Sequence, residues 1–101
     1  MPTPTPLPLP QLIINAACKY YEVTEEQLKT REHVEKKKIV QYLLRMEADM
    51  KYLRIARIFN QLTNSHNRVR ENVEEIDAQK NVSRSIRIDI ENIKIMSGIC
   101  V

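Results

Sequence analysis

Between Tyr52 and Val69 the chain reads Tyr-Leu-Arg-Ile-Ala-Arg-Ile-Phe-Asn-Gln-Leu-Thr-Asn-Ser-His-Asn-Arg-Val. The spacing of its apolar residues leaves little choice of local structure. Ile55, Ile58, Phe59 and Leu62 recur at i, i+3, i+4 and i+7, which is one face of a helix. Thr63, Asn64 and Ser65 then interrupt the pattern; each side chain bonds readily to nearby backbone and suits a turn or a helix N-cap. Val69, Val73 and Ile76 resume the helical period. Two short helices joined by a polar turn make a helix-turn-helix, a unit that sets the first residues of its second helix against DNA base edges. Here those residues are Ser65, His66, Asn67 and Arg68, all able to hydrogen-bond.

The same period governs the rest of the chain. The 101 residues suit one domain, and a single glycine with no tryptophan argues against a turn-rich all-β fold. The expected fold is all-α, a compact bundle of about six helices with a disordered proline-rich N-terminal arm. In that arm, residues 1–10, alternate prolines favour polyproline II and read as a flexible arm or linker; residues 11–101 form the domain. A first helix is expected from about Pro10 to Tyr21, with Ile13, Ala16, Ala17 and Tyr20 on its apolar face. Thr24-Glu-Glu-Gln27 has capping-box spacing, so a short second helix should run to about Thr30. A third, the candidate central element, runs from about Glu35 to Asp49, with Ile39, Leu43, Met46 and Met50 on one line and Val40 and Leu44 beside it. The fifth helix, Ser65 to about Gln79, carries Glu71, Glu74, Glu75 and Asp77 on its later turns. Phosphates repel that face, so only its first turns can approach DNA. Ile86, Ile90 and Ile93 fit a last helix, although Ile86, Ile88 and Ile90 also alternate as in a strand; helix is expected because a lone strand has no partner. Gly98 fits a helix stop.

Charge and chemistry narrow the function. The formal net charge is +3. From Lys29 to Lys38 five cations (Lys29, Arg31, Lys36, Lys37, Lys38) meet two anions (Glu32, Glu35), so this one segment also carries +3, a concentration that suits a polyanion or an ordinary solvated helix start. No apolar run is long enough to span a membrane, and no signal-peptide pattern opens the chain. Cys18 and Cys100 are expected to be reduced thiols in a cytoplasmic protein. His33 and His66 do not stand at metal-ligand spacing, no nucleophile–base constellation is apparent, and Tyr20, Tyr21 and Tyr42 fall at apolar positions. The reading is of a non-enzyme without cofactor or metal. His66 itself reads either as a DNA contact or as a structural residue, since Val69 and Val73 lie three and seven positions on.

From about Leu12 to Met96 the chain resembles the C-terminal DNA-binding domain (domain IV) of the bacterial replication initiator DnaA, a Trp-repressor-like helix-turn-helix. In that family an early helix ends in paired aromatics and a short capped helix follows, as in Tyr20-Tyr21-Glu-Val-Thr-Glu-Glu-Gln-Leu28. A basic loop then leads into a long apolar helix, as in Lys36-Lys37-Lys38-Ile-Val-Gln-Tyr-Leu-Leu44. The family's Tyr-Pro-Glu-Ile-Gly with a phenylalanine following is similar to Tyr52-Leu-Arg-Ile55-Ala56-Arg-Ile-Phe59, and its Asp-His-Thr-Thr-Val signature lines up with Ser65-His66-Asn67-Arg68-Val69. The family's trailing helices match Val73-Glu-Glu-Ile76 and the isoleucine-rich end. The departures are specific. Ser65 replaces one good N-cap with another. The two threonines become Asn67 and Arg68, which pair with adenine and with guanine or phosphate. The turn between Phe59 and His66 is about two residues longer, and the basic loop is shorter, with lysine where the family is rich in arginine. With one glycine there is no Gly-x-x-x-x-Gly-Lys phosphate loop.

The resemblance implies double-stranded DNA binding without ATPase activity, in replication or transcription. Lys36, Lys37 and Lys38 would position the phosphate backbone, and Ser65, His66, Asn67, Arg68 and Arg70 would line the DNA-facing surface. The alternative is a DnaA-like helical module that has lost DNA binding and meets a protein partner through the acidic face of helix 65–79.

Overall fold

The computed structural model describes residues 8–59 and 65–98, and across them every regular element is helical. The helices are α1 (Leu9–Tyr21), α2 (Glu25–Leu28), α3 (Val34–Met46), α4 (Tyr52–Ile58), α5 (Ser65–Gln79) and α6 (Arg84–Met96), with a single 3-10 turn, Arg31–His33, leading into α3. Residues 1–7, most of the arm, and Asn60–Asn64, the turn with Leu62, Thr63 and Asn64, lie outside the described residues, as does Cys100.

Each boundary has a local cause. α1 begins at Leu9, inside the expected arm, because Pro10 falls in its first turn, where a missing N–H costs nothing and the fixed φ is already helical. The turn after α1 closes with the Glu22 N–H donating to the Lys19 carbonyl (3.3 Å) and the Val23 N–H to the Cys18 carbonyl (3.0 Å). Those bonds hold Glu22 in the left-handed region at φ 57°. The capping box forms as its spacing implies: the Gln27 N–H donates to Thr24 Oγ1 (3.1 Å) and the Thr24 N–H to Gln27 Oε1 (2.9 Å). In α6, Ser83 caps the start by accepting from the Ile86 N–H, and Gly98, at φ 83°, follows the end in the left-handed conformation that stops a helix.

The core assembles around α3, which touches each of the other five α-helices. Six consecutive residues, Ile39 to Leu44, are buried, so the middle of α3 is enclosed on every side. α1 packs on α6 and α4 packs on α5, and α3 lies between the two pairs. Ile13 and Ala17 from α1, Leu28 from α2, Ile55 from α4, Val69 and Ile76 from α5 and Ile93 from α6 meet it with no exposed surface. Burying each larger aliphatic side chain contributes about 1.5–3 kcal/mol.

Two expectations for α3 need correction. The helix ends at Met46 rather than Asp49, and Met46 is 51% exposed while Met50 is buried. Residues four apart share a helical face, so the reversal means the chain has left the helix between them. Asp49 takes the left-handed conformation (φ 52°), which aspartate tolerates better than most residues. The Met50 N–H then donates to the Leu44 carbonyl (3.3 Å), and Arg45 donates to the Met50 carbonyl (3.1 Å). The start near Glu35 holds, and it overturns the basic loop that the DnaA likeness implies: Lys36, Lys37 and Lys38 sit inside the first turns of α3. In α6 the helical reading holds, with Ile90 and Ile93 buried and the strand-phase residues Ile88 and Ile95 exposed.

Polar ties join the helix pairs. Tyr20 and Tyr21, edge to face at 5.1 Å between ring centroids, both donate to the Asp89 carboxylate on α6, at 2.8 and 3.3 Å. Lys80, just beyond α5, donates to Tyr42 Oη on α3 (2.9 Å) and pairs with Asp77 (3.0 Å). Lys94 on α6 pairs with Glu47 at 3.0 Å.

Candidate nucleic-acid interface

α5 is positioned from two sides. Val69, Val73 and Ile76 lock its inner face into the core against α3 and α4. That leaves His66, Asn67, Arg68 and Arg70 exposed on its first turns, and no acidic residue stands in the first turn. His66 is therefore not a half-buried structural residue. Ser65 opens the helix. Further along, Glu71, Glu74 and Asp77 are exposed, so the acidic later turns lie where the spacing put them.

The α3 lysines do not act as one surface. Successive helical residues are about 100° apart around the axis, and Lys36 parts from the other two. Lys36 Nζ lies 3.3 Å from His33 Nδ1 and 5.4 Å above the centre of the Tyr21 ring. Lys38 Nζ donates to Glu75 Oε2 at 2.7 Å across the α3–α5 seam. Lys37 and Lys38 line a groove of about 670 Å³ with Arg68, Asn72, Glu71 and Glu75. The fold thus brings Lys37, Lys38 and Arg68 together from sites thirty residues apart, but sets two carboxylates among them. Lys36 is not part of that lining. Beneath the groove Asn72 Nδ2 donates to Oε1 of the buried Gln41 (2.9 Å), whose own Nε2 has no partner among the described residues.

A second group of cations was not singled out by contiguity. Lys51, the N-cap of α4, and Arg54 and Arg57 within the helix are exposed, spaced i, i+3 and i+6. Sequence does carry their signal: from Lys51 to Arg70 there are five cations (Lys51, Arg54, Arg57, Arg68, Arg70) and no carboxylate, although Asp49 and Glu71 flank the run. None of the ion pairs found among the described residues involves any of the five.

Other chemistry is sparse. Among the described residues no group of three histidine, cysteine or acidic side chains could hold a metal ion, and no helix is long and apolar enough to cross a membrane. Cys18 is a free, half-buried thiol, its pKa raised by burial and by the nearby Glu25 carboxylate. No protein-family model, curated protein or solved structure matches the chain.

Proposed function

We propose that this protein is a double-stranded DNA-binding module that works through the α4–α5 helix-turn-helix in the manner of the DnaA C-terminal domain, without ATPase or other catalytic chemistry. The observation that carries the reading is the acid-free run from Lys51 to Arg70, whose five cations equal +5 in a chain of net +3. A polyanion binds where cations are not already neutralised by neighbouring carboxylates. His66, Asn67, Arg68 and Arg70 meet the major groove from the first turns of α5, and Lys37 and Lys38 approach the flanking phosphates across the groove they share with Arg68. Asn67 suits adenine, and Arg68 suits guanine or phosphate.

Site selection from random duplexes, followed by titration of the selected and a scrambled duplex, tests this. Arg68→Ala is expected to cost roughly 1–3 kcal/mol on the selected site if the contact is to a base, and less on the scrambled one. Equal losses on both place Arg68 on phosphate. No selected sequence and no salt-dependent binding by the intact chain would overturn the reading in favour of a protein-interaction module, for which Glu71 and Glu74 on the exposed face of α5 supply the surface.

A further inference from the structure

α4 carries more charge than its packing role needs. Its inner residues Ile55 and Ala56 are buried, and it is held from the α3 side by Arg45, whose guanidinium lies 4.6 Å over the Tyr52 ring. The Lys51 carbonyl caps the helix by accepting from the Arg54 and Ile55 N–H groups (3.0 and 3.1 Å), but the charged ends of Lys51, Arg54 and Arg57 enter none of the ion pairs among the described residues. They line a shallow groove of about 590 Å³ with Leu53 and Ile58. Six residues of helix span about 9 Å, so the row covers two to three nucleotides of one DNA strand at about 3.4 Å of axis each. In a helix-turn-helix the first helix crosses the DNA backbone while the second enters the groove.

We propose that α4 is the main phosphate grip of this module, with Lys51, Arg54 and Arg57 tracking one strand's backbone and the α3 lysines contributing less. The inference rests on the duplex-DNA reading above. Lys38 is already neutralised by Glu75 at 2.7 Å, Lys36 is turned to His33 and Tyr21, and Glu71 and Glu75 stand beside Lys37 and Lys38 in one groove. A cation that must leave a carboxylate to reach a phosphate gains little from the exchange. Among the described residues no ion pair involves Lys51, Arg54 or Arg57, although Glu25 and Asp49 share a groove with Lys51 and Arg54. Two of the three are arginines, whose planar fork grips phosphate in a bidentate way that lysine does not.

The test is fluorescence anisotropy of the full chain on one random-sequence duplex across a range of potassium chloride concentrations. It compares wild type, the α4 triple K51A/R54A/R57A and the α3 triple K36A/K37A/K38A, with circular dichroism confirming the fold. The α4 triple is expected to lose at least tenfold in affinity at low salt and to flatten the log–log salt slope by about 2–3. The α3 triple should flatten it by less. R57Q alone, at the exposed end of α4, should flatten it by about 1, and this covers the case in which the triple variant loses helix content. Wild-type binding with an unchanged slope in both R57Q and the α4 triple overturns the grip, as does an α3 triple that flattens the slope as much as the α4 triple. Absence of wild-type binding at any salt overturns the DNA reading itself, a distinct result.

Discussion

At the scale of single residues, Glu22 is the clearest point of strain. It occupies the left-handed region (φ 57°, ψ 46°) after α1, which costs a residue with a Cβ roughly 1–2 kcal/mol, while its N–H serves the helix end. Glu22→Gly is expected to stabilise the fold by about 0.5–1 kcal/mol after the entropy glycine regains on unfolding. Glu22→Ala should bring no such gain, because it keeps the Cβ; urea denaturation of the two variants distinguishes strain from charge. Tyr21 makes a second residue-level prediction. Burial, followed by the nearby Asp89 carboxylate, raises its phenol pKa well above the usual value, and the hydrogen bond to Asp89 does the same for Tyr20. A pKa raised in the folded state gives stability that is complete below the unfolded value of about 10 and is lost as pH climbs past it. The urea midpoint should therefore begin to fall at about pH 10 and go on falling above it, and Tyr21→Phe should make that fall shallower. An equal fall in the variant would show that other groups set the alkaline limit.

Among elements, the α3–α5 seam carries the least satisfied chemistry. Gln41 is fully buried, with its Oε1 used by Asn72 and its Nε2 unpaired among the described residues. An orphaned buried donor costs about 1–3 kcal/mol. Gln41→Met keeps much of the volume without the amide, so a rise in stability of about 1 kcal/mol is expected in thermal or urea unfolding; a clear loss would show that the hydrogen bond from Asn72 is worth more than the orphaned donor costs. The seam also shows what was legible in the sequence. Helix order, the capping box at Thr24–Gln27 and the span of α5 follow from spacing alone. The end of α3 does not, because the left-handed turn at Asp49 leaves no periodic trace, and Met46 and Met50 exchange their expected burial. Neither Gln41 inside the core nor the Lys38–Glu75 pair is visible in a local pattern, since each depends on a helix thirty or more residues away. The lysine run and the α4 row differ for a geometric reason. Three adjacent cations are conspicuous in sequence and scatter on a helix, whereas three cations spaced by three are inconspicuous in sequence and share a face.

For the whole molecule, α3 sets the order of opening. It alone contacts every other helix, so its amides are released only when the fold is lost as a unit. Native-state hydrogen exchange should be slowest across Ile39–Leu44 and markedly faster in the seven-residue α4. Slower exchange in α6 than in α3 would place the stable nucleus at the α1–α6 pair instead. The acid-free run also has a consequence at this scale. With +5 between Lys51 and Arg70 and +3 in total, the remaining residues sum to −2. The positive charge stands on α4 and the first turns of α5, and Glu71, Glu74, Glu75 and Asp77 set four negative charges on the later turns of α5, so the polarity runs along the α4–α5 pair itself. Any strongly negative body exerts a torque on such a molecule while still about a Debye length away, roughly 8 Å at physiological ionic strength. α4 and the first turns of α5 turn to lead while the acidic later turns swing away, and the orientation search that slows most macromolecular encounters is partly completed before the surfaces touch.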